Sequence, residues 1–244
     1  MNVIVTDSFQ KTCEITARII AQVIRSKPDA RLGLATGGTA QGVYPYLVQA
    51  YRNGELDFSR VSTVNLDEYV GLPPEHPQSY RRFMDENLFD LVNIDKSNTV
   101  VALGTGDIEE NVRRFRKAIA EKPIDVQLLG IGADGHVGFN EPGRVLYDGA
   151  HVEELEQSTI DANARFFASR EEVPTHAISM GIGDILRAKK LLLLATGESK
   201  AAAMKGLLLS DELSAQNPAT MVKTHPDVTV ILDRALARRI GYTG

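Results

Sequence analysis

One histidine stands in the densest cluster of ionisable residues. His136 lies between Asp134 and Glu141 in the chain, so that carboxylates flank it on both sides. Such carboxylates hold an imidazole in one orientation and stabilise its charged form, and that form suits a general acid at neutral pH. The alternatives are a metal ligand and a structural histidine bonded to a loop carbonyl, although the remaining histidines show no ligand spacing: His76, His151, His176 and His225.

A second pair of carboxylates ends an apolar run. Asp67 and Glu68 close the stretch VSTVNLDEY at 61–69. At the carboxyl end of a strand, such a residue serves as a general base, as an acceptor for a sugar hydroxyl or as a helix cap. This motif taken alone favours the cap.

Two loops marked by glycine have the composition of an anion site. TGGT at 36–39 follows one apolar run, and ATGESK at 195–200 follows another. Glycines let backbone N–H groups approach an anion, and a helix N-terminus favours negative charge. Taken alone, the first loop is more simply a tight turn with a helix cap. Lys200 in a first helical turn opposes the helix dipole, which indicates an anion partner, with plain solvation as the alternative.

Short apolar runs alternate with helical patterns along the chain. In one helical pattern Ile108, Val112, Phe115 and Ile119 share a face. This alternation predicts parallel βαβ units in an α/β fold, with a doubly wound, mostly parallel, Rossmann-like sheet and helices on both faces. No linker or repeat divides the chain, so we predict a single domain over 1–244. The predicted strands are 32–35, 61–66, 126–131, 177–180, 191–195 and 228–232.

The residues that could do chemistry share one position in this scheme. The loop at 36–39, Asp67, the segment at 130–136 and the loop at 196–200 each follow a predicted strand. Ligands of open α/β sheets bind beyond the carboxyl ends of the strands. We therefore expect these groups to meet in one crevice, which is stronger evidence for a site than any single motif.

Composition and charge indicate which partners and which cellular compartment to expect. A net charge of −5 over 244 residues disfavours nucleic-acid binding, which needs a basic surface. The chain shows neither a signal-peptide pattern nor an apolar run of about 20 residues, so we expect a cytoplasmic protein that does not enter a membrane. The single cysteine, Cys13, is expected in the core.

Six segments together resemble the glucosamine-6-phosphate deaminase family. They span nearly the whole chain in family order: ATGGT (35–39), NLDEYVGL (65–72), HPQSY (76–80), GIGADGHVGFNEP (130–142), NARFF (163–167) and GESKA (197–201). The resemblance implies an enzyme that converts glucosamine 6-phosphate to fructose 6-phosphate and ammonia in amino-sugar catabolism. It also implies that no cofactor and no metal is needed.

The resemblance assigns the acid–base roles residue by residue. Asp67 matches the base that moves a proton between C2 and C1 of the opened sugar. His136 matches the group that opens the pyranose ring, and Asp134 and Glu141 match the carboxylates that orient and charge it. The chemistry agrees, since this isomerisation needs an acid at the ring oxygen and a base at C2 but no hydride acceptor.

The resemblance also implies a phosphate site. A fixed phosphate positions the reacting carbons at the other end of the sugar. The matching residues are the cations Arg165 and Lys200, with help from the loop residues Thr36, Gly37, Gly38 and Thr39.

Two other functions compete with this interpretation. A 6-phosphogluconolactonase has a related pattern, but in that family the segment after the histidine resembles Ser-Leu-Phe-Pro, whereas here it is Gly-Phe-Asn-Glu-Pro and supplies Glu141. A sugar-phosphate-sensing domain of a regulator would come with a helix-turn-helix segment, and the acidic charge argues against it.

The segment at 144–154 bears on assembly. Allosteric hexamers of the family carry serine and basic residues after the Glu-Pro step. Here Arg144 and His151 are accompanied by Asp148, Glu153 and Glu154, whose charges would repel an anionic activator. We therefore predict a monomer or a small homo-oligomer.

Overall fold

The structure is a computed structural model that describes residues 1–243. The strands in chain order are β1 (Asn2–Thr6), β2 (Arg31–Leu34), β3 (Ser62–Asn65), β4 (Asp67–Tyr69), β5 (Thr99–Val100), β6 (Val126–Leu129), β7 (His151–Glu154), β8 (His176–Ser179), β9 (Leu191–Ala195) and β10 (Val228–Asp233). The helices are α1 (Phe9–Ser26), α2 (Gly38–Gln41), α3 (Tyr44–Arg52), α4 (Tyr80–Asn87), α5 (Ile108–Ala120), α6 (Gln157–Asn163), α7 (Ile182–Leu186), α8 (Ala201–Leu209) and α9 (Arg234–Ile240). Short 3-10 turns span Phe89–Leu91, Lys96–Asn98, Ala164–Phe166, Arg170–Glu172, Glu198–Lys200 and Pro218–Thr224.

A seven-stranded sheet forms the centre, in the order β1-β10-β9-β6-β2-β3-β5. Every neighbouring pair in it is parallel. Every residue of β9 and β10 is buried, as expected for strands that are covered by helices on both faces. The predicted α/β fold class is therefore confirmed. Five of the six predicted strands lie in this sheet, as β2, β3, β6, β9 and β10, each within two residues of its predicted bounds.

The prediction for 177–180 was right about the strand but wrong about its sheet. β8 pairs antiparallel with both β4 and β7 in a separate three-stranded sheet. Leu66 joins the two sheets, because its N–H donates to Leu34 and its carbonyl accepts the N–H of Met180 at 2.7 Å. The strands β1, β4, β5 and β7 were not predicted. β5 has only two residues, and β7 has the polar sequence HVEE, so neither shows an apolar period.

Amphipathic helices cover the large sheet. Ser8 caps α1 by accepting the N–H of Lys11, and Asp107 caps α5 by accepting the N–H of Glu110. Cys13 is 1% exposed in the core, as predicted, and burial raises the pKa of its thiol to about 11. Within residues 1–243, no helix combines the length and the apolar character that a bilayer crossing requires.

Candidate active site

The strand order places a crevice between β2 and β6. From β2 the chain runs outward through β3 to β5, and from β6 it runs outward the other way through β9 and β10. Loops that leave adjacent strands in opposite directions open a gap at the carboxyl edge of the sheet, where ligands of such folds bind. The gap is a cavity of about 580 Å³. All but one of the predicted site residues line it: Thr36, Gly37, Gly38, Thr39, Asp67, Asp134, His136, Arg165 and Lys200.

Glu141, the remaining predicted residue, lies behind His136. Nδ1 of His136 is 2.9 Å from Oδ1 of Asp134 and 3.4 Å from Oε2 of Glu141. These distances place both carboxylates against the same ring nitrogen. Burial lowers the pKa of His136, but Asp134 and then Glu141 raise it more, to about 9. The imidazole is therefore charged at neutral pH.

The loop after β6 is shaped by its glycines. The N–H of Gly132 donates to the carbonyl of His136 at 2.9 Å, and Oδ1 of Asp134 accepts the N–H of His136 at 3.1 Å. A Cβ at Gly132 would lie 2.4 Å from both Oδ1 of Asp134 and Nδ1 of His136. Gly135 has φ +96°, a conformation that favours glycine. The absence of a side chain at Gly132 thus leaves room for the contact between His136 and Asp134.

The same three side chains raise the question of a metal. One ligand-type atom from each of Asp134, His136 and Glu141 lies within 4.8 Å of the other two. Burial raises the pKa of Asp134, but contact with His136 outweighs it and lowers that pKa to about 2. An ionised Asp134 beside a charged imidazole forms an ion pair that already neutralises one carboxylate. The three side chains that could hold a metal thus already contact one another through His136.

Asp67 does not end a strand, as the sequence suggested, but begins β4. It is 6% exposed. Burial raises its pKa to about 8, the charge of Glu68 adds to this effect, and the charge of His136 opposes it. The carboxyl of Asp67 and the imidazole of His136 therefore influence each other across one cavity.

Glu68, rather than Asp67, accepts backbone N–H groups at the N-terminus of a helix, whose N-cap is Ser79. Its carboxylate accepts the N–H groups of Tyr69 at 2.9 Å, Tyr80 at 2.9 Å and Arg81 at 3.0 Å. Two of these belong to the first turn of α4. Burial raises the pKa of Glu68 to about 7 although the three N–H groups oppose the rise. Glu68 thus joins the small sheet to α4, which places Tyr80 in the cavity wall.

The two glycine loops have the same backbone geometry. Gly37 has φ +87° and precedes α2, and Gly197 has φ +86° and precedes the turn that leads to α8. Burial lowers the pKa of Lys200, Asp134 raises it, and Arg165 lowers it again. Lys200 and Arg165 are thus close enough to repel each other, and their positive charges face the cavity together with the loops.

Sequence reasoning missed one side of the cavity. Ser158, Thr159, Ala162 and Asn163 line it from α6, and the 3-10 turn after this helix carries Arg165. The signal was a run of small and polar residues at helical spacing, which is weak evidence without the partner surface.

The fold and the site define a class of protein. A doubly wound α/β chain with an acid–base cluster and paired cations at its topological switch point has the equipment of an enzyme for small anionic substrates. The chain belongs to the family described as glucosamine-6-phosphate isomerases and 6-phosphogluconolactonase, whose model matches residues 6–231.

Named relatives cover the whole chain. It is 49% identical over 242 residues to the glucosamine-6-phosphate deaminase of Clostridium beijerinckii, with 98% of this chain and 100% of the relative aligned. It is 48% identical over 240 residues to the enzyme of the same name from Clostridium perfringens strain 13, with 98% and 99% aligned.

Solved structures agree. A structure described as a monomeric glucosamine-6-phosphate deaminase has a TM-score of 0.95 at 41% identity, covering 98% of this chain and 100% of that one. A 6-phosphogluconolactonase from Trypanosoma cruzi has a TM-score of 0.75 at 17% identity, covering 97% of this chain and 96% of that one. The second likeness is one of fold alone.

Proposed function

We propose that the chain deaminates and isomerises glucosamine 6-phosphate, with fructose 6-phosphate and ammonia as products. The observation that carries this proposal is the pairing of a buried carboxyl, Asp67, with a charged imidazole, His136, across one cavity. An aldose–ketose isomerisation needs one group that accepts a proton from carbon and one that donates a proton to oxygen.

His136 acts first in the proposed sequence. Its Nδ1 is engaged by Asp134 and Glu141, so Nε2 is the nitrogen available to substrate. Nε2–H protonates the ring oxygen and the neutral imidazole then takes up the proton of the C1 hydroxyl, so that the C1–oxygen bond of the ring breaks to give the open-chain aldehyde. The two carboxylates stabilise the imidazolium that must be present before this step and must re-form after it.

Asp67 then acts on the open chain. Its ionised carboxylate removes the proton from C2 while the aldehyde oxygen takes a proton from His136, and an enolamine forms between C1 and C2. The same carboxyl returns the proton to C1, which leaves an imine at C2. Water adds to the imine carbon and ammonia departs, so that the ketone of fructose 6-phosphate remains. A raised pKa makes Asp67 a stronger base for the proton on carbon than an ordinary carboxylate.

The phosphate is assigned to the part of the cavity that Arg165 and Lys200 line. Arg165 and Lys200 supply positive charge, and the loops at 36–39 and 196–200 supply backbone N–H groups. Charge-assisted hydrogen bonds to phosphate fix the remote end of the sugar, so binding energy there orients C1 and C2 between Asp67 and His136.

The deciding experiment uses the whole protein and two substrates. Release of ammonia and of fructose 6-phosphate from glucosamine 6-phosphate is measured with EDTA present, and hydrolysis of 6-phosphogluconolactone is measured in parallel. We expect the first reaction and not the second. Lactone hydrolysis without ammonia release would replace the proposal by the lactonase alternative, and activity that EDTA abolishes would contradict a metal-free reaction.

We further propose that the enzyme is a hydrolase of amino-sugar catabolism in the cytoplasm and acts as a single domain, monomeric or in a small homo-oligomer. The cavity supports the last point, because one chain supplies lining residues from Phe9 to Lys200. The net charge of −5 supports a small-molecule partner rather than nucleic acid.

A further inference from the structure

Asp233 lies beneath the second glycine loop, at the end of β10. Its side chain is buried, with 8% of the residue exposed. Oδ2 accepts the N–H of Gly197 at 2.8 Å, and Oδ1 accepts the N–H of Leu236 at 2.8 Å. One carboxylate oxygen therefore holds the loop at 196–200, and the other caps α9.

The N–H of Gly197, which Asp233 accepts, lies at the turn of this loop. Gly197 has φ +86°, and its carbonyl accepts the N–H of Lys200 at 3.2 Å. Ser199 and Lys200 line the cavity. A hydrogen bond that fixes the Gly197 amide therefore also fixes the point from which Lys200 leaves the loop.

The first glycine loop is tethered in a similar way. The hydroxyl of Tyr44, a fully buried residue, donates to the carbonyl of Ala35, immediately before the loop at 36–39. Both loops that face the cavity are thus held from the protein interior by a buried side chain. Asp233 differs in one respect, because it is an anion beside an anion site. Its two N–H partners and the N-terminus of α9 offset that charge.

We propose that Asp233 is a positioning residue that sets the loop at 196–200 for the phosphate of the substrate. This inference rests on the proposed function, in which Lys200 receives that phosphate. Asp233 touches no substrate, since it does not line the cavity. Its loss should therefore weaken binding of the phosphate while the acid–base groups Asp67 and His136 continue to work.

Asp233→Asn separates the two bonds. Asparagine caps helices as well as aspartate does, so its oxygen is expected to keep the N–H of Leu236, whereas the NH2 group that replaces Oδ2 is a donor and cannot accept the N–H of Gly197. We expect KM for glucosamine 6-phosphate to rise about tenfold, equivalent to about 1.4 kcal/mol, with kcat within about twofold. The affinity for inorganic phosphate, measured by calorimetric titration, should fall by a similar factor. Hydrogen exchange at the Gly197 amide should become faster.

Asp107→Asn is the matched control. Asp107 also caps a helix through its carboxylate, but it holds no loop of the cavity. This variant should keep KM, kcat and phosphate affinity. If Asp233→Asn fails to fold, Asp233→Ser keeps a helix-capping oxygen and is measured in its place.

The outcomes separate the inference from the proposed function. Unchanged KM and phosphate affinity in a folded Asp233 variant would overturn the positioning role alone. An equal loss in the Asp107 variant would also overturn it, because the loss of a carboxylate charge at a helix N-terminus would then explain the effect. A wild-type protein that neither binds phosphate nor releases ammonia from glucosamine 6-phosphate would instead overturn the proposed function.

Discussion

Glu141→Gln tests whether the two carboxylates set the charge of His136. A carboxylate 3.4 Å from Nδ1 contributes about 1.2 kcal/mol even at the dielectric constant of bulk water, close to one pKa unit. The whole rise in the pKa of His136 runs from 6.5 to about 9. The variant should therefore lower this pKa by at least about one unit.

The assay is the pH dependence of kcat/KM. In the wild type, activity should rise as Asp67 ionises near pH 8 and fall as His136 loses its proton near pH 9. In Glu141→Gln the falling limb should move to lower pH. The maximal rate should also drop, because fewer molecules then combine an ionised Asp67 with a charged His136.

Stability gives a second measurement. The folded pKa of His136 exceeds its unfolded value of 6.5, so the associated stabilisation is complete below pH 6.5 and is lost as the pH rises through about 9. Its size is about 3 kcal/mol, by conversion of the pKa rise. Denaturant unfolding at pH 6 and pH 10 should show a smaller difference in Glu141→Gln than in the wild type.

The control lies in a second histidine–carboxylate pair. Nε2 of His151 is 2.9 Å from Oε2 of Glu153, and neither residue lines the cavity. Glu153→Gln should leave the pH–rate profile unchanged. A falling limb that stays in place in Glu141→Gln, or that moves equally in Glu153→Gln, would refute this account of His136.

Three other predictions concern the base, the anchor and regulation. Asp67→Asn should reduce kcat by roughly 10²–10⁴-fold, as expected for loss of a general base, while the melting temperature shows a folded protein; turnover within a few-fold of wild type would contradict the role. Arg165→Ala and Lys200→Ala should each raise KM by roughly tenfold or more, since a charge-assisted hydrogen bond is worth about 1.5–3 kcal/mol. Unphosphorylated glucosamine should be a very poor substrate, and equal use of both sugars would contradict the assignment of a phosphate site to these residues. Substrate titrations should be hyperbolic and unaffected by N-acetylglucosamine 6-phosphate, because Glu153 already pairs with the nearby His151; a sigmoidal curve from a particle of six chains would disprove this.

The sequence alone determined the features that depend on local pattern. Short stretches of sequence were enough to predict the buried strands β9 and β10 from their apolar runs. They were also enough to predict turns at Gly37 and Gly197. Parallel strands expose their carboxyl ends at one edge, so the meeting of the loop at 36–39 with the segment at 130–136 followed from the order of elements. The resemblance of the segment at 163–167 to the family predicted that Arg165 belongs to the same site.

Only the tertiary structure decided which groups pair across long stretches of chain. β8 has the apolar pattern of a central strand, yet its partners are β4 and β7 in the small sheet. Glu68 accepts the first N–H of a helix that begins at Tyr80, and Asp233 accepts the N–H of Gly197. Local period encodes which face of an element is apolar, but not which distant backbone N–H a carboxylate will meet. The sequence also did not determine the proton affinity of Asp67. Its pKa is raised first by burial among surrounding elements, and that burial exists only once the chain has folded around the side chain.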